Sequence, residues 1–210
     1  EACPVADIPF KTSDVGSAVT ESNLIDNVYL LDLASGNFVE PPGIGAVIQQ
    51  NLNVDILMGI DDITGGELYM TGALGIASGG GVIQDVCQPS IPFPKASFSE
   101  NPFFTVGPET TTLTVQGADI TIDDLYLSGS FSPDEEFIVG AVLAGSIDSR
   151  PIEEAFDLGE EGYLCELAGP FGITCETCAD GKDFCLSLYV NRIEAEIEDG
   201  ATVIVVEEAD

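Results

Sequence analysis

Six cysteines and a large population of carboxylates are the side chains through which this chain could do chemistry, and it contains neither histidine nor tryptophan. Without histidine, no Ser-His-Asp or Cys-His nucleophile and no His-ligated metal centre can be assembled. Carboxylate chemistry remains. Two acids can act as acid and base on a glycosidic bond, and adjacent pairs stand at Asp61-Asp62, Asp123-Asp124, Glu153-Glu154 and Glu160-Glu161. Among 37 Asp+Glu such pairs arise without any demand for catalysis, and the missing tryptophan removes the commonest sugar-stacking platform. A non-catalytic protein is the expected reading, with an acid-pair glycosidase as the enzymatic alternative.

Carboxylate and carbonyl oxygens also suit calcium, which needs no histidine. The candidate ligands are Asp61 and Asp62, Asp123 and Asp124, and Asp134 with Glu136. The turn Asp180-Gly181-Lys182-Asp183 is a further acidic loop, which Lys182 counts against. None of these spells the EF-hand loop, and the ordinary alternative at each is a solvated acidic face.

The cysteines are Cys3, Cys87, Cys165, Cys175, Cys178 and Cys185, an even number that fits disulfides formed in an oxidising compartment. Four fall within residues 165–185, which marks a stapled region and leaves Cys3 to pair with Cys87. The pairing inside the four is open. Their spacing contains one CxxC pair where a structural zinc site normally has two, and the acids around Cys175-Glu176-Thr177-Cys178 disfavour a reactive thiolate. Structural bridges are therefore expected over zinc or redox chemistry.

The background to these residues is an imbalance of charge. Thirty-seven acids against 5 Lys+Arg give a formal net charge of -32 on 210 residues, yet 45% of the chain is hydrophobic and its mean hydropathy is positive. Such a chain folds around a core and wears an acidic skin. No face can gather the cations that bind phosphates, so nucleic acid and anionic membrane surfaces are excluded as partners. No run approaches the ~20 apolar residues of a membrane helix, and the opening at Glu1 fits a processed, exported chain. The expected location is extracellular or cell-surface.

The elements that must position these groups read mainly as strands. Residues 1–20, with Pro4, Pro9 and Gly16, suit an extended N-terminal arm. Val28 to Leu33 predicts a strand, and Ile44, Val47, Ile48 and Leu52 follow helical spacing. Asp62 to Gly75 lines up without gaps on Asp119 to Ser132, and both copies change apolar parity midway, which predicts a bulge near Gly65-Gly66 and another near Asp123-Asp124. Pro89 to Pro108 reads as a long loop whose Phe93, Phe98, Phe103 and Phe104 pack as core or line an apolar cavity.

Phe137 to Ile147 is apolar on both parities and predicts a central strand covered on both faces, with Gly140 and Gly145 marking bends or close approaches. Helical turns are expected from Pro151 to Phe156 and around Leu164 to Ala168. Phe184 to Ile197 alternates with a parity change near Asn191, Asp199-Gly200 is a hairpin signal, and Ala201 to Val206 predicts a returning final strand.

These elements predict one β-rich domain over residues 1–210: an antiparallel β sandwich or flattened barrel with two or three short peripheral helices, stapled by disulfides. The expected function is a structural or interaction protein that self-associates, or meets another extracellular protein, by strand pairing of its terminal segments, with Val203, Ile204, Val205 and Val206 as the assembly residues. The alternative is a carrier for an apolar small molecule, a lipid or a pigment, held between the sheet layers.

Overall fold

A computed structural model describes residues 16–42, 54–115, 117–155 and 157–207. The helical spacing at Ile44 to Leu52 and residues 1–15 of the arm lie outside the described residues. Among the described residues the chain forms eleven strands: β1 (Val28–Asp32), β2 (Asn37–Glu40), β3 (Asp55–Thr64), β4 (Glu67–Ser78), β5 (Gly81–Gln84), β6 (Ile91–Pro92), β7 (Ala96–Ser97), β8 (Phe103–Val115), β9 (Ala118–Phe131), β10 (Phe137–Asp148) and β11 (Cys185–Ile197). Short helices are α1 (Glu21–Leu24), α2 (Ser149–Ala155) and α3 (Tyr163–Ala168).

The strands form one antiparallel sheet in the order β5-β4-β3-β1-β11-β10-β9-β8, with β2 beside β11 and with β6 and β7 along β4. β11 is the pivot. β10 follows one of its edges throughout, while the other edge is shared between β2, opposite Tyr189 to Asn191, and β1, opposite Glu194 to Ile197. The sheet thereby folds over its own core like a sandwich. It does not close: β8 comes near β6 and β7 but makes no ladder with them, so the barrel form of the expectation is not what the chain adopts.

Parity changes along the strands are bulges. On β11 the buried set moves from Leu186, Leu188 and Val190 to Ile193 and Ala195, and Arg192 takes a φ of 57° between them. β10 bends opposite at Gly140, whose φ is 63°. A one-residue slip of this kind turns side chains over between faces while keeping both halves packed. Gly145 is the other device: a Cβ there would stand 2.9 Å from Ile122 Cγ2 and 3.0 Å from the Asp123 carbonyl.

The apparent repeat is not structural. Asp119 to Phe131 lies in the single strand β9, which does bulge at Asp124 with a φ of 49°. The matching residues from Asp62 onward instead turn a corner: Gly65 and Gly66, at φ 64° and 77°, form the hairpin between β3 and β4. Two glycines able to take positive φ make a tight turn where Ile122 and Asp123, at the matching positions, continue the strand into the bulge.

Phe98, Phe104 and Phe131 share the core with Tyr29, and Phe131 is at the centre, with ring centroids 4.8 Å from Phe104, 5.6 Å from Tyr29 and 5.9 Å from Phe98. Burial pushes the Tyr29 phenol up to about 12, and its hydroxyl donates to the Glu135 carbonyl at 2.7 Å. The phenylalanine loop is thus core, except for Phe103, which is exposed. It is also less of a loop than expected, since β6, β7 and the start of β8 fall inside it.

Two further expectations are corrected. β10 sits centrally, between β9 and β11, but it is deeply buried on one face only; the strands buried on both faces are β3 and β4. Ile56, Met58, Met70 and Leu74 face the main core, while Leu57, Thr71 and Ala73 are equally buried on the reverse face. The second correction explains the first. Residues 201–207 do not return as a strand beside β11, because both of its edges are already occupied. They cross the reverse face of β3 instead.

Candidate functional site

The cysteine-rich region is a pair of staples. Cys165 joins Cys175 with a Cα separation of 5.6 Å, and Cys178 joins Cys185 at 5.1 Å. Cys175 and Cys178 therefore serve different bridges, and all four sulfurs are used, which leaves none for zinc or for a CxxC redox couple. Cys87 is exposed and unbridged among the described residues, and Cys3 lies outside them.

Two polar contacts fasten this region to the sheet. Arg150, at the start of α2, forks onto Asp148 (Nε to Oδ1 2.9 Å) and reaches Asp180 with Nη1 at 2.7 Å. Its guanidinium also lies 5.0 Å from the Phe184 ring centroid. Arg150, together with the Lys182 backbone N–H, holds Asp180 below the usual carboxylate range. Glu153, 2% exposed, directs both carboxylate oxygens at the start of α3, accepting from Gly162 N at 2.7 Å and Leu164 N at 2.8 Å. Gly162 offers no capping side chain, so Glu153 supplies the cap from another helix.

The candidate calcium ligands fall at three separate places. Asp61 and Asp62 lie within β3, where Asp61 accepts from Thr71 Oγ1 at 2.7 Å and burial raises its carboxyl. Asp123 and Asp124 form the bulge of β9, and Asp123 accepts from Thr110 Oγ1 at 3.2 Å. Asp134 takes the Ser132 hydroxyl at 2.5 Å in the β9–β10 turn, next to Glu136. Among the described residues no three acids or cysteines gather as a metal site.

The core encloses an apolar void of about 30 Å³ between residues such as Leu33, Phe38, Leu113 and Val190. That is an order of magnitude below the ~300 Å³ at which small-molecule pockets begin. An open groove of about 600 Å³ runs outside β1, β11 and β10, with Leu30 and Val139 on its floor and Asp32, Arg192, Glu194 and Glu196 around it. Among the described residues no helix is long and apolar enough to cross a membrane.

The most distinctive construction is the seat of the C-terminal segment. After the turn at Asp199-Gly200, residues 201–207 run across β3, and a Cβ on Gly59 would come within 3.1 Å of Val203 Cβ. Ile204 is then gripped by the Gln84 side chain: its N–H donates to Oε1 at 2.8 Å and its carbonyl accepts from Nε2 at 2.9 Å. Val206 N–H donates to Ser90 Oγ at 2.9 Å, and its carbonyl accepts from Ser90 N at 3.0 Å. Successive residues of an extended chain point their backbone groups to opposite sides. Those of Ile204 and Val206 face the seat, whereas those of Val203 and Val205 have no partner among the described residues.

The four expected assembly residues thus divide by role. Val203 and Val206 are half-buried toward the body, while Ile204 and Val205 stand 57% and 64% exposed. Ile76 and Ile83, opposite each other on β4 and β5, and Val86 after β5 are exposed beside Gln84. At the root of the segment, Glu198 accepts from Val82 N at 2.9 Å. Burial, with Asp32 and Glu198 nearby, raises the Asp55 carboxyl. Sequence reasoning found the segment but missed its seat, since Gly59, Gln84 and Ser90 carry no pattern that links them before the chain is folded.

Comparison of the chain with protein families, curated proteins and solved structures finds no match to any of them.

Proposed function

We propose that this is a non-catalytic, secreted or cell-surface structural protein whose copies associate by β-strand pairing through the C-terminal segment. One observation carries the reading: the backbone groups of Val203 and Val205 have no partner among the described residues, and they stand beside the exposed Ile204 and Val205 side chains in a largely apolar segment. An edge of that kind is a template for another strand unless it is covered. The acidic surface keeps copies apart elsewhere, because net charge far from zero opposes random association. Two disulfides suit an oxidising, extracellular setting. The missing histidine and the scattered carboxylate pairs support a role without catalysis.

Analytical ultracentrifugation across protein concentration, at low and at 0.5 M salt (about a 4 Å screening length), tests this reading. Wild-type protein should associate, more strongly at the higher salt, and Val205→Lys should remain monomeric while keeping its circular dichroism spectrum. A wild-type chain that stays monomeric at every concentration and salt overturns it.

A further inference from the structure

The seat of residues 201–207 is built into the body, and the segment that fills it is joined to that body by a short turn. Gln84 and Ser90 are 6% and 8% exposed with the segment in place, and Leu57, Thr71 and Ala73 on the same side of the sheet are buried as deeply. Emptying the seat would give up the bonds of the Gln84 amide and the Ser90 hydroxyl to the segment and uncover apolar surface to water, so the body calls for an extended segment at this place. The shape it accepts is specific. Gly59 leaves room for a β-branched side chain at the position of Val203, and Gln84 and Ser90 read the backbone one and three residues later.

The hold on the segment is of a releasable kind. No strand ladder secures it; side chains grip alternate residues, and the turn at its root rests on one bond from Ala201 N to the Glu198 carbonyl at 3.1 Å, with Gly200 at a φ of 79°. Opening that turn extends the chain away from its own body. Nothing in the seat distinguishes the segment of its own chain from the identical segment of another copy, which is the condition for exchange between protomers.

We infer that the seat formed by Gly59, Gln84 and Ser90 accepts the Ala201–Glu207 segment of a second copy of this chain, so that copies are joined by exchanging their C-terminal segments. This rests on the reading of the protein as a self-associating chain and adds exchange of the segment to pairing at its outer edge. Each exchanged segment makes the same bonds that it makes at home, and the gain is limited to the opened turn and the new contacts around it. Exchange therefore grows with protein concentration, since the tethered segment competes at an effective concentration of order millimolar. It also grows with salt, which screens the repulsion between two chains of net charge -32.

Full-length Val203→Cys and full-length Gly59→Cys, mixed in equal amounts at 0.5 M salt (a screening length of about 4 Å) in a glutathione buffer, test the exchange. The doubly substituted chain, G59C with V203C, serves as the control. The control should form the 59–203 bridge within one chain, which shows that the geometry permits the bond, and should associate more weakly than wild type. The mixture should give the same bridge between chains, identified by mass spectrometry of the non-reduced peptides. A control that bridges internally together with a mixture that yields no interchain 59–203 bridge overturns the exchange. A bridged control that still associates as wild type does also overturns it, while leaving association through an outer edge intact. Failure of the wild-type chain to associate at all would remove both.

Discussion

Gln84 and Ile204 face each other as two strands would, except that one partner is a side chain: the Gln84 amide accepts from Ile204 N at 2.8 Å and donates to its carbonyl at 2.9 Å. Asn101 treats Val19 in the same way, at 2.8 and 3.0 Å. Val19 and Ile204 are thus each latched by a primary amide, which can present one N–H and its carbonyl oxygen in a geometry close to that of a peptide unit. Removal of Gln84 leaves a backbone donor and acceptor at Ile204 without partners.

Gln84→Ala should cost about 1–2 kcal/mol and lower Tm by roughly 3–6 °C. Hydrogen exchange should locate the loss at Ile204 and Val206, with β9 and β10 unchanged. Gln84→Glu keeps the acceptor and loses the donor, and it should fall between wild type and alanine. Unchanged protection at Ile204 in the alanine variant would contradict the latch.

Glu153 tests a different kind of fastening, in which a buried carboxylate is balanced by backbone N–H groups and a helix end rather than by a cation. Glu153→Ala should destabilise by about 2–4 kcal/mol in urea unfolding, because the N–H groups of Gly162 and Leu164 at the start of α3 lose their acceptor inside the fold. Glu153→Gln should recover part of this, since one amide oxygen can still accept.

Arg150 links α2 to the loop between Cys178 and Cys185 through Asp180 and Phe184. Arg150→Lys keeps the charge but cannot fork onto Asp148 and reach Asp180 together. It should lower Tm by about 2–5 °C and raise proteolytic cleavage near Gly181, with both disulfides still present in the non-reduced peptide map. A cleavage rate equal to wild type would show that the bridges alone hold the loop.

Stability should change with pH in a way fixed by two opposed sets of carboxyls. Asp55, raised by burial with Asp32 and Glu198 nearby, and Asp61, raised by burial, bind protons more readily folded than unfolded. Their contribution is full below the usual carboxylate range and is lost as pH rises through their folded values. Glu67, held low by Lys95, and Asp180, held low by Arg150, contribute in the opposite sense and lose stability as pH falls through theirs. The Tm should therefore peak on the acid side of neutrality. Asp55→Asn should raise Tm at pH 7 by about 1–2 °C and flatten the rise on acidification. A Tm that only falls from pH 7 downward would contradict this assignment.

Much of the strand content was legible because its cause is local. Leu186, Leu188 and Val190 followed by Ile193 and Ala195 announce both a half-buried strand and the slip at Asn191, since alternation reports which side chains must leave water. Clustering of four cysteines announced staples, although spacing could not say that Cys165 takes Cys175. The valine-rich end shows where the sequence misleads. Residues 201–206 carry a strong strand pattern behind a turn signal, yet β10, β2 and β1 occupy both edges of β11, and only the folded chain shows that competition.

By itself the sequence determined the mainly β character of the fold, the excess of acids over bases, the absence of histidine chemistry and the stapled region, because composition and short-range periodicity act residue by residue. The tertiary structure decided the rest: which strands are buried twice, that the acid pairs stay apart, and that Gly59, Gln84 and Ser90 meet as one seat. These depend on contacts between residues far apart in the chain, and their free energies exist only once the sheet has brought those residues together.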